Sequence, residues 1–191
     1  MNNFPHRQEV TLVTGPVSYR QAGRGPDLVL LHGLAGNSGT WERQFEKFAE
    51  RFRMTAWDAP GYGHSDAVRP AVDAYADTLG AFTQAIGIER FILIGHSMGG
   101  VVAGNFAGRY RDRVFGLVLS SFFGLVNIIP RATNTIAIHG IGRVACARTA
   151  DKSSGGFIAI KYHDFCNEYI PIPSTSCWDF KFAHRRWRKL F

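Results

Sequence analysis

Apolar residues follow two different spacings along the first part of the chain. Short continuous apolar runs, typical of strands buried on both faces of a sheet, alternate with stretches in which apolar residues recur every three or four positions, as on one face of a helix. The runs predict four buried strands: Leu28–Leu31, Met54–Trp57, Phe91–Ile94 and Val114–Leu119. A hairpin formed by Val10–Val13 and Val17–Tyr19 is predicted before them.

Helices are predicted between these strands. The apolar stripes of the first two are Trp41, Phe45 and Phe48, and then Tyr75, Leu79, Phe82 and Ile86. A third helix begins at Met98 and ends near Tyr110. Strands and helices in this alternation favour an α/β fold with a doubly wound, mostly parallel sheet. In such sheets the active groups lie at the carboxyl ends of the strands.

A serine motif follows one of the predicted strands. Gly95-His96-Ser97-Met98-Gly99 reads G-x-S-x-G between the strand Phe91–Ile94 and the third helix, a context in which serine becomes an exposed nucleophile. The glycines permit a strained turn, and the helix directs its positive dipole end toward the reaction centre. A second glycine-rich segment, His32-Gly33-Leu34-Ala35-Gly36, follows Leu28–Leu31, where a further oxyanion donor is expected.

Three segments in this order, His32–Gly36, Asp58–Asp66 and Gly95–Gly100, resemble the α/β-hydrolase superfamily. The match is closest to its small-ester, lactone and carbon–carbon bond hydrolases. It extends from about Glu9 to about Gly124. The resemblance therefore implies an α/β-hydrolase fold whose recognisable part is the amino-terminal one.

The resemblance also implies roles for individual residues. Ser97 is the expected nucleophile, and the backbone N–H groups of Leu34 and Met98 are the expected oxyanion donors. The family's triad follows the chain order Ser, Asp or Glu, and then His, so Asp58 is not expected to be the triad acid. We expect Asp58 to hydrogen-bond the Pro60–Gly63 loop instead. The neighbouring residues expected to be structural are His32, His64, Ser65 and His96.

The triad acid and base must then come from residues 125–191, which resemble nothing recognisable. In one interpretation Val144–Ala147 is a strand, Asp151 follows it as the acid, and His184 follows a weak strand at Ser176–Phe180 as the base. The next candidates are His163 as base and Asp164 as acid. In the other interpretation residues 125–191 are a non-native completion from a truncated, rearranged or frame-shifted gene, and the sheet is incomplete after its sixth strand.

The charge distribution separates the same two parts. Residues 1–121 contain 12 Lys and Arg against 11 Asp and Glu, whereas residues 122–191 contain 10 against 4, so most of the net charge of +7 lies in this basic tail. The basic, aromatic end His184–Lys189 could contact nucleic acid, but a solvated chain end is the simpler interpretation. We therefore predict two regions, 1–124 and 125–191, and no nucleic-acid partner.

Composition narrows the function further. At 191 residues and 46% hydrophobic, the chain can bury a core. It lacks metal-ligand spacings, a secretory signal and an apolar run of membrane-spanning length, so we predict no metal, no cofactor, no membrane contact and a cytoplasmic location.

Two classes of function remain open. The first is a serine hydrolase that cleaves a small-molecule ester, lactone or similar carbonyl substrate through an acyl-enzyme. Serine rather than aspartate at position 97 argues against the dehalogenase and epoxide-hydrolase branches of the family. The second class is a non-catalytic remnant or partner-binding module without a complete triad. The sequence leaves the oligomeric state open.

Overall fold

Eight strands form one sheet in the computed structural model, which describes residues 4–120, 136–140 and 143–147. The strands are β1 (Arg7–Leu12), β2 (Gly15–Ala22), β3 (Asp27–Leu31), β4 (Arg53–Trp57), β5 (Phe91–His96), β6 (Val114–Ser120), β7 (Ile136–Gly140) and β8 (Arg143–Ala147). Their order across the sheet is β1-β2-β4-β3-β5-β6-β7-β8. The five strands from β4 to β7 run parallel, whereas β1, β2 and β8 pair antiparallel with their neighbours. The mostly parallel α/β sheet predicted from the sequence is confirmed.

The helices lie where the apolar spacing predicts them. They are α1 (Glu42–Phe48), α2 (Val72–Ala85) and α3 (Met98–Arg109). A 3₁₀ turn, Ser38–Trp41, precedes α1, so the first residue of the predicted stripe belongs to that turn. The predicted hairpin is also confirmed, because all six residues of β1 pair with β2, with Val10 opposite Val17.

Large apolar side chains pack α2 and α3 against one face of the sheet. Phe82 of α2 meets Tyr19 edge to face at 5.3 Å between ring centroids, and Phe106 of α3 lies 5.7 Å from Phe91 of β5. The three phenylalanines are completely buried. Burial of each such side chain contributes about 1.5–3 kcal/mol, so this layer stabilises the packing of the two helices on the sheet.

The carboxyl ends of the parallel strands bring the predicted site segments to one edge of the sheet. His32 follows β3, Asp58 follows β4, and Ser97 follows β5. The Ser97 N–H donates to the carbonyl of Ser120 at the end of β6, at 2.9 Å. Segments that are far apart in the chain therefore meet at this edge.

Two short strands extend the described sheet beyond the predicted sixth strand. Val144–Ala147 was predicted as a strand and forms most of β8. The β7 strand was not predicted; it pairs in parallel with β6 over Leu117–Ser120. The other tail predictions lie outside the described residues: Asp151, His163, Asp164, Ser176–Phe180 and His184. No helix in the part of the chain that the structure describes is long and apolar enough to cross a membrane.

Candidate active site

Ser97 connects β5 to α3 in a backbone conformation that is costly for a residue with a side chain. Its φ is 51° and its ψ is −114°. Among the described residues, Ala35 is the only other non-glycine residue with a positive φ. Such conformations cost about 1–3 kcal/mol and persist only where the surroundings enforce them. Here the Ser97 N–H is held by Ser120, and the Ser97 carbonyl accepts from the Gly100 N–H at 2.9 Å.

The two glycines of the serine motif allow backbone segments to touch. A Cβ on Gly99 would overlap the carbonyl oxygens of Leu31 and His32, at the end of β3. A Cβ on Gly95 would overlap the backbone of Gly99. The first turn of α3 can therefore pack against β3 and β5 only because both positions lack a side chain.

The loop after β3 lies directly against this serine turn. Gly33 and Gly36 close a tight turn, with the Gly36 N–H donating to the Gly33 carbonyl at 3.0 Å and Ala35 at a φ of 58°. A Cβ added to Gly33 would lie 2.8 Å from His96 Nδ1 and 3.1 Å from Ser97 Cβ. The loop and the candidate nucleophile are therefore neighbours, as the sequence motifs require.

Each of the two adjoining segments carries one of the predicted oxyanion donors. Within residues 4–120 neither the Leu34 N–H nor the Met98 N–H donates to an acceptor. Met98 is the first residue of α3, where an unpaired N–H is inherent to the helix. Leu34 is 74% exposed. In this part of the chain both backbone donors are therefore without an acceptor, as stabilisation of a developing oxyanion requires.

His32 is occupied by structural hydrogen bonds. Its Nε2 accepts the Ala59 N–H at 2.9 Å, so Nδ1 carries the proton and donates to the Gly33 carbonyl at 2.8 Å. Burial lowers the pKa of His32 and favours this neutral form. Because both ring nitrogens are engaged, His32 has none left for Ser97.

Asp58 joins the segment after β3 to the loop after β4. The carboxylate is 2% exposed and accepts the N–H groups of Ser38, at 2.6 Å, and His64, at 3.2 Å. Burial by itself raises the pKa of this carboxyl, but the Ser38 N–H and the other donors outweigh burial and hold the pKa below its usual value. Asp58 was expected to hydrogen-bond the Pro60–Gly63 loop, but its carboxylate accepts the N–H of the next residue, His64. The Gly61 and Tyr62 N–H groups donate instead to the carbonyls of Asp66 and Ala59.

Another histidine lies on the same edge of the sheet. In the strand register His96 is opposite Ser120, and Ser120 is opposite His139 near the end of β7. His139 was not among the predicted site residues because β7 was not predicted; the short apolar run Ile136–Ile138 just before it was the available signal. Asp151 and His184, the predicted acid and base, lie outside the described residues. Within the described ranges, no three His, Cys, Asp or Glu side chains are grouped as metal ligands would be.

Known proteins are similar to part of this chain. An uncharacterized protein of Mycobacterium tuberculosis is 40% identical over 119 residues, covering 60% of this chain and 35% of its own length. The pimeloyl-[acyl-carrier protein] methyl ester esterase of Nitrosomonas europaea is 40% identical over 100 residues, covering 51% of this chain and 37% of its own length.

A solved structure is also similar to part of this chain. The N-acyl homoserine lactonase AidH, crystallised with N-butanoyl homoserine, superimposes with a TM-score of 0.57 at 27% identity, covering 61% of this chain and 45% of that protein. The present chain spans about a third of the length of the two curated relatives named above. The family model described as alpha/beta hydrolase fold matches residues 26–135, which is more than half of the chain. Together with the serine turn and the sheet order, this match shows that the chain belongs to the α/β-hydrolase family.

Proposed function

We propose that this chain carries the nucleophile and oxyanion-binding part of a serine hydrolase for small esters, lactones or similar carbonyl compounds. The observation that carries the proposal is the enforced conformation of Ser97, together with the N–H groups of Leu34 and Met98, which have no acceptor within residues 4–120. The strained backbone of Ser97 lowers the stability of the fold, and such strain at a strand end is characteristic of a functional position rather than of packing alone.

The proposed reaction starts at the Ser97 hydroxyl. Its oxygen attacks the substrate carbonyl carbon while a histidine accepts the hydroxyl proton, and the negative charge that forms on the carbonyl oxygen is stabilised by the N–H groups of Leu34 and Met98. Collapse of this intermediate expels the alcohol, which takes the proton from the histidine. Water then attacks the acyl-enzyme while the histidine accepts its proton, and the histidine returns a proton to the Ser97 oxygen as the acid product leaves. We assign the histidine to His184 and its acidic partner to Asp151.

The named relatives support this substrate class. One is an esterase and another a lactonase by name, and both names describe cleavage of an ester bond. A lactone differs from an open ester only in that its alcohol stays attached to the acyl group. The proposal therefore covers both, and it leaves the acyl group unassigned because the chain matches only part of each relative.

Labelling with a fluorophosphonate probe tests the nucleophile, because the probe reacts only with an activated serine. The full chain should be labelled, and mass spectrometry should locate the adduct on Ser97. Ser97→Ala should abolish labelling, whereas Thr11→Ala, which removes an exposed hydroxyl on β1, should leave it unchanged. A folded chain that remains unlabelled would overturn the proposal and favour the non-catalytic, partner-binding alternative.

The same assay assigns the base and the acid. Substituting alanine for His184 or Asp151 should lower the labelling rate by ~10³-fold, and the double variant should lose little more because the triad acts as a unit. The comparison variants are His163→Ala, Asp164→Ala and His139→Ala. Normal labelling of His184→Ala with loss in one of the other histidine variants would reassign the base to that residue.

A further inference from the structure

A polar cavity of about 470 Å³ lies between the β1–β2 hairpin and the loops that follow β3 and β4. Basic and polar residues line it: His6, Arg7, Arg20, Asn37, Ser38, Asp58, Gly63 and His64. Ser97, Leu34 and Met98 are not among them. Asp58 is the only carboxylate in this lining, and it already accepts the N–H groups of Ser38 and His64. The cavity therefore presents an excess of positive charge.

Two of the lining residues are like charges placed directly opposite each other. Arg7 on β1 is the register partner of Arg20 on β2 in an antiparallel pair. Opposite residues of such a pair share one face at close range, and like charges there destabilise the sheet. Within residues 4–120 no ion pair joins either arginine to a carboxylate. An anion between the two guanidinium groups would replace this repulsion with attraction.

Arg20 is held in place by its neighbours. One Nη donates to the Pro5 carbonyl at 2.6 Å, and the guanidinium carbon lies 4.6 Å from the centre of the Phe4 ring. Its Nε is shielded from solvent and has no hydrogen-bond partner. The guanidinium is therefore already oriented before any ligand arrives, which reduces the entropy lost on binding.

We propose that this cavity binds a phosphate group. Arginine pairs with phosphate in a planar, two-pronged geometry, and a phosphate monoester carries enough charge and oxygen atoms to engage both Arg7 and Arg20. A carboxylate, with a single charge and two oxygens, would neutralise one of them. The cavity volume leaves room for an organic part beyond the phosphate. This binding site goes beyond the proposed ester hydrolysis and does not depend on it.

Isothermal titration calorimetry of the full chain with inorganic phosphate tests the proposal. The unmodified protein should bind one phosphate saturably, and Arg7→Gln and Arg20→Gln should each weaken the affinity by about tenfold or more. Arg90→Gln, an exposed position outside the cavity, removes the same charge and should change the affinity by less than about twofold. Non-saturable binding, or equal weakening in all three variants, would refute the site.

Thermal unfolding provides a readout that separates binding from folding. Phosphate should raise the Tm of the unmodified chain and of Arg90→Gln, because a ligand that binds only the folded state stabilises it. In phosphate-free buffer Arg7→Gln should match or exceed the Tm of the unmodified chain, because the repulsion from Arg20 is gone. An Arg7→Gln protein whose Tm still rises with phosphate as in the unmodified chain would contradict the proposal.

Vesicle binding identifies the source of the phosphate group. If the ligand is a lipid headgroup, vesicles of phosphatidylcholine with phosphatidic acid should sediment the protein, and Arg20→Gln should abolish this sedimentation. If the ligand is a soluble phosphate compound, inorganic phosphate binds while the vesicles do not sediment the protein. Both results uphold the cavity as a phosphate site. Sedimentation that is equally strong for Arg20→Gln and the unmodified chain would count against it.

Discussion

The backbone strain at Ser97 can be measured by changing only the residue that bears it. Glycine adopts a positive φ without steric cost, so Ser97→Gly should raise the free energy of unfolding by about 1 kcal/mol after its own entropy cost is included. Ser97→Ala keeps the strain and should stay within about 0.5 kcal/mol of the unmodified chain. Both variants should lose turnover of p-nitrophenyl esters. Urea unfolding gives the comparison, and a Ser97→Gly protein less stable than Ser97→Ala would show that the turn is unstrained.

The buried imidazole of His32 predicts a pH dependence of stability. Its pKa in the folded chain lies below the ordinary value of 6.5, so the unfolded chain takes up a proton more readily. The stabilisation is complete above about pH 6.5 and is lost as the pH falls toward the folded-state pKa, with a slope of at most about 1.4 kcal/mol per pH unit for one proton. Chemical unfolding of the parent and His32→Gln between pH 5 and 8 measures this difference. Equal slopes in the two proteins would contradict it.

At the residue scale the sequence predicted the strained turn at Ser97 better than the supporting contacts around it. The G-x-S-x-G motif located Ser97 because its glycines and the strand–helix junction are local features. Several supporting contacts are not local: the Ser38 N–H that Asp58 accepts lies 20 residues earlier in the chain, and His32 accepts the Ala59 N–H across 27 residues. Such bonds depend on which strands become neighbours, and a pattern of apolar residues along one strand does not contain that information.

At the element scale the packing of α3 on β3 depends on a missing side chain. Gly99→Ala would drive a Cβ into the carbonyl oxygens of Leu31 and His32, and we expect it to lower the free energy of unfolding by about 3 kcal/mol. Gly104 lies in the same helix, and a Cβ there would meet nothing within 4 Å. Gly104→Ala should therefore raise stability by about 0.5–1 kcal/mol through helix propensity.

Denaturant unfolding of the two variants makes this comparison. A Gly99→Ala protein as stable as Gly104→Ala would show that α3 can move away from β3 without cost. If the contact is as tight as the structure indicates, Gly99→Ala should also slow fluorophosphonate labelling of Ser97, because the helix that carries the Met98 N–H is displaced.

The elements that the sequence predicted are those whose pattern is repeated and apolar. Continuous buried runs located β3 to β6, and stripes spaced three or four residues apart located α1 and α2, because a strand covered on both faces and a helix covered on one leave distinct periodicities. The β7 segment Ile136–Gly140 is short and has only two branched apolar residues. A strand of this kind is specified by its pairing with β6 rather than by its own composition.

At the scale of the whole molecule the two ends of the parallel sheet differ: one carries the candidate site and the other a set of stabilising contacts. The candidate chemistry lies at the carboxyl ends, while Arg113 joins α2 to the amino ends. Its guanidinium donates to the carbonyls of Gly80, Ile88 and Glu89 and to the Thr83 hydroxyl. It also lies 5.7 Å from the centre of the Phe91 ring, at the start of β5. One side chain thus satisfies four acceptors, two in α2 and two in the loop that joins α2 to β5.

Removal of this side chain should destabilise the protein without altering the site. Arg113→Ala leaves several acceptors unpaired, and we expect the free energy of unfolding to fall by about 3 kcal/mol. The full length of β5 separates Arg113 from Ser97, so the rate of fluorophosphonate labelling per folded molecule should stay unchanged. Arg111→Ala is the control: Arg111 is exposed and lies in the same short 3₁₀ turn as Arg113, Arg111–Arg113, and its replacement should alter neither quantity. A large loss of labelling in folded Arg113→Ala would mean that the two ends of the sheet are coupled, and that the site depends on the amino-terminal edge for its geometry.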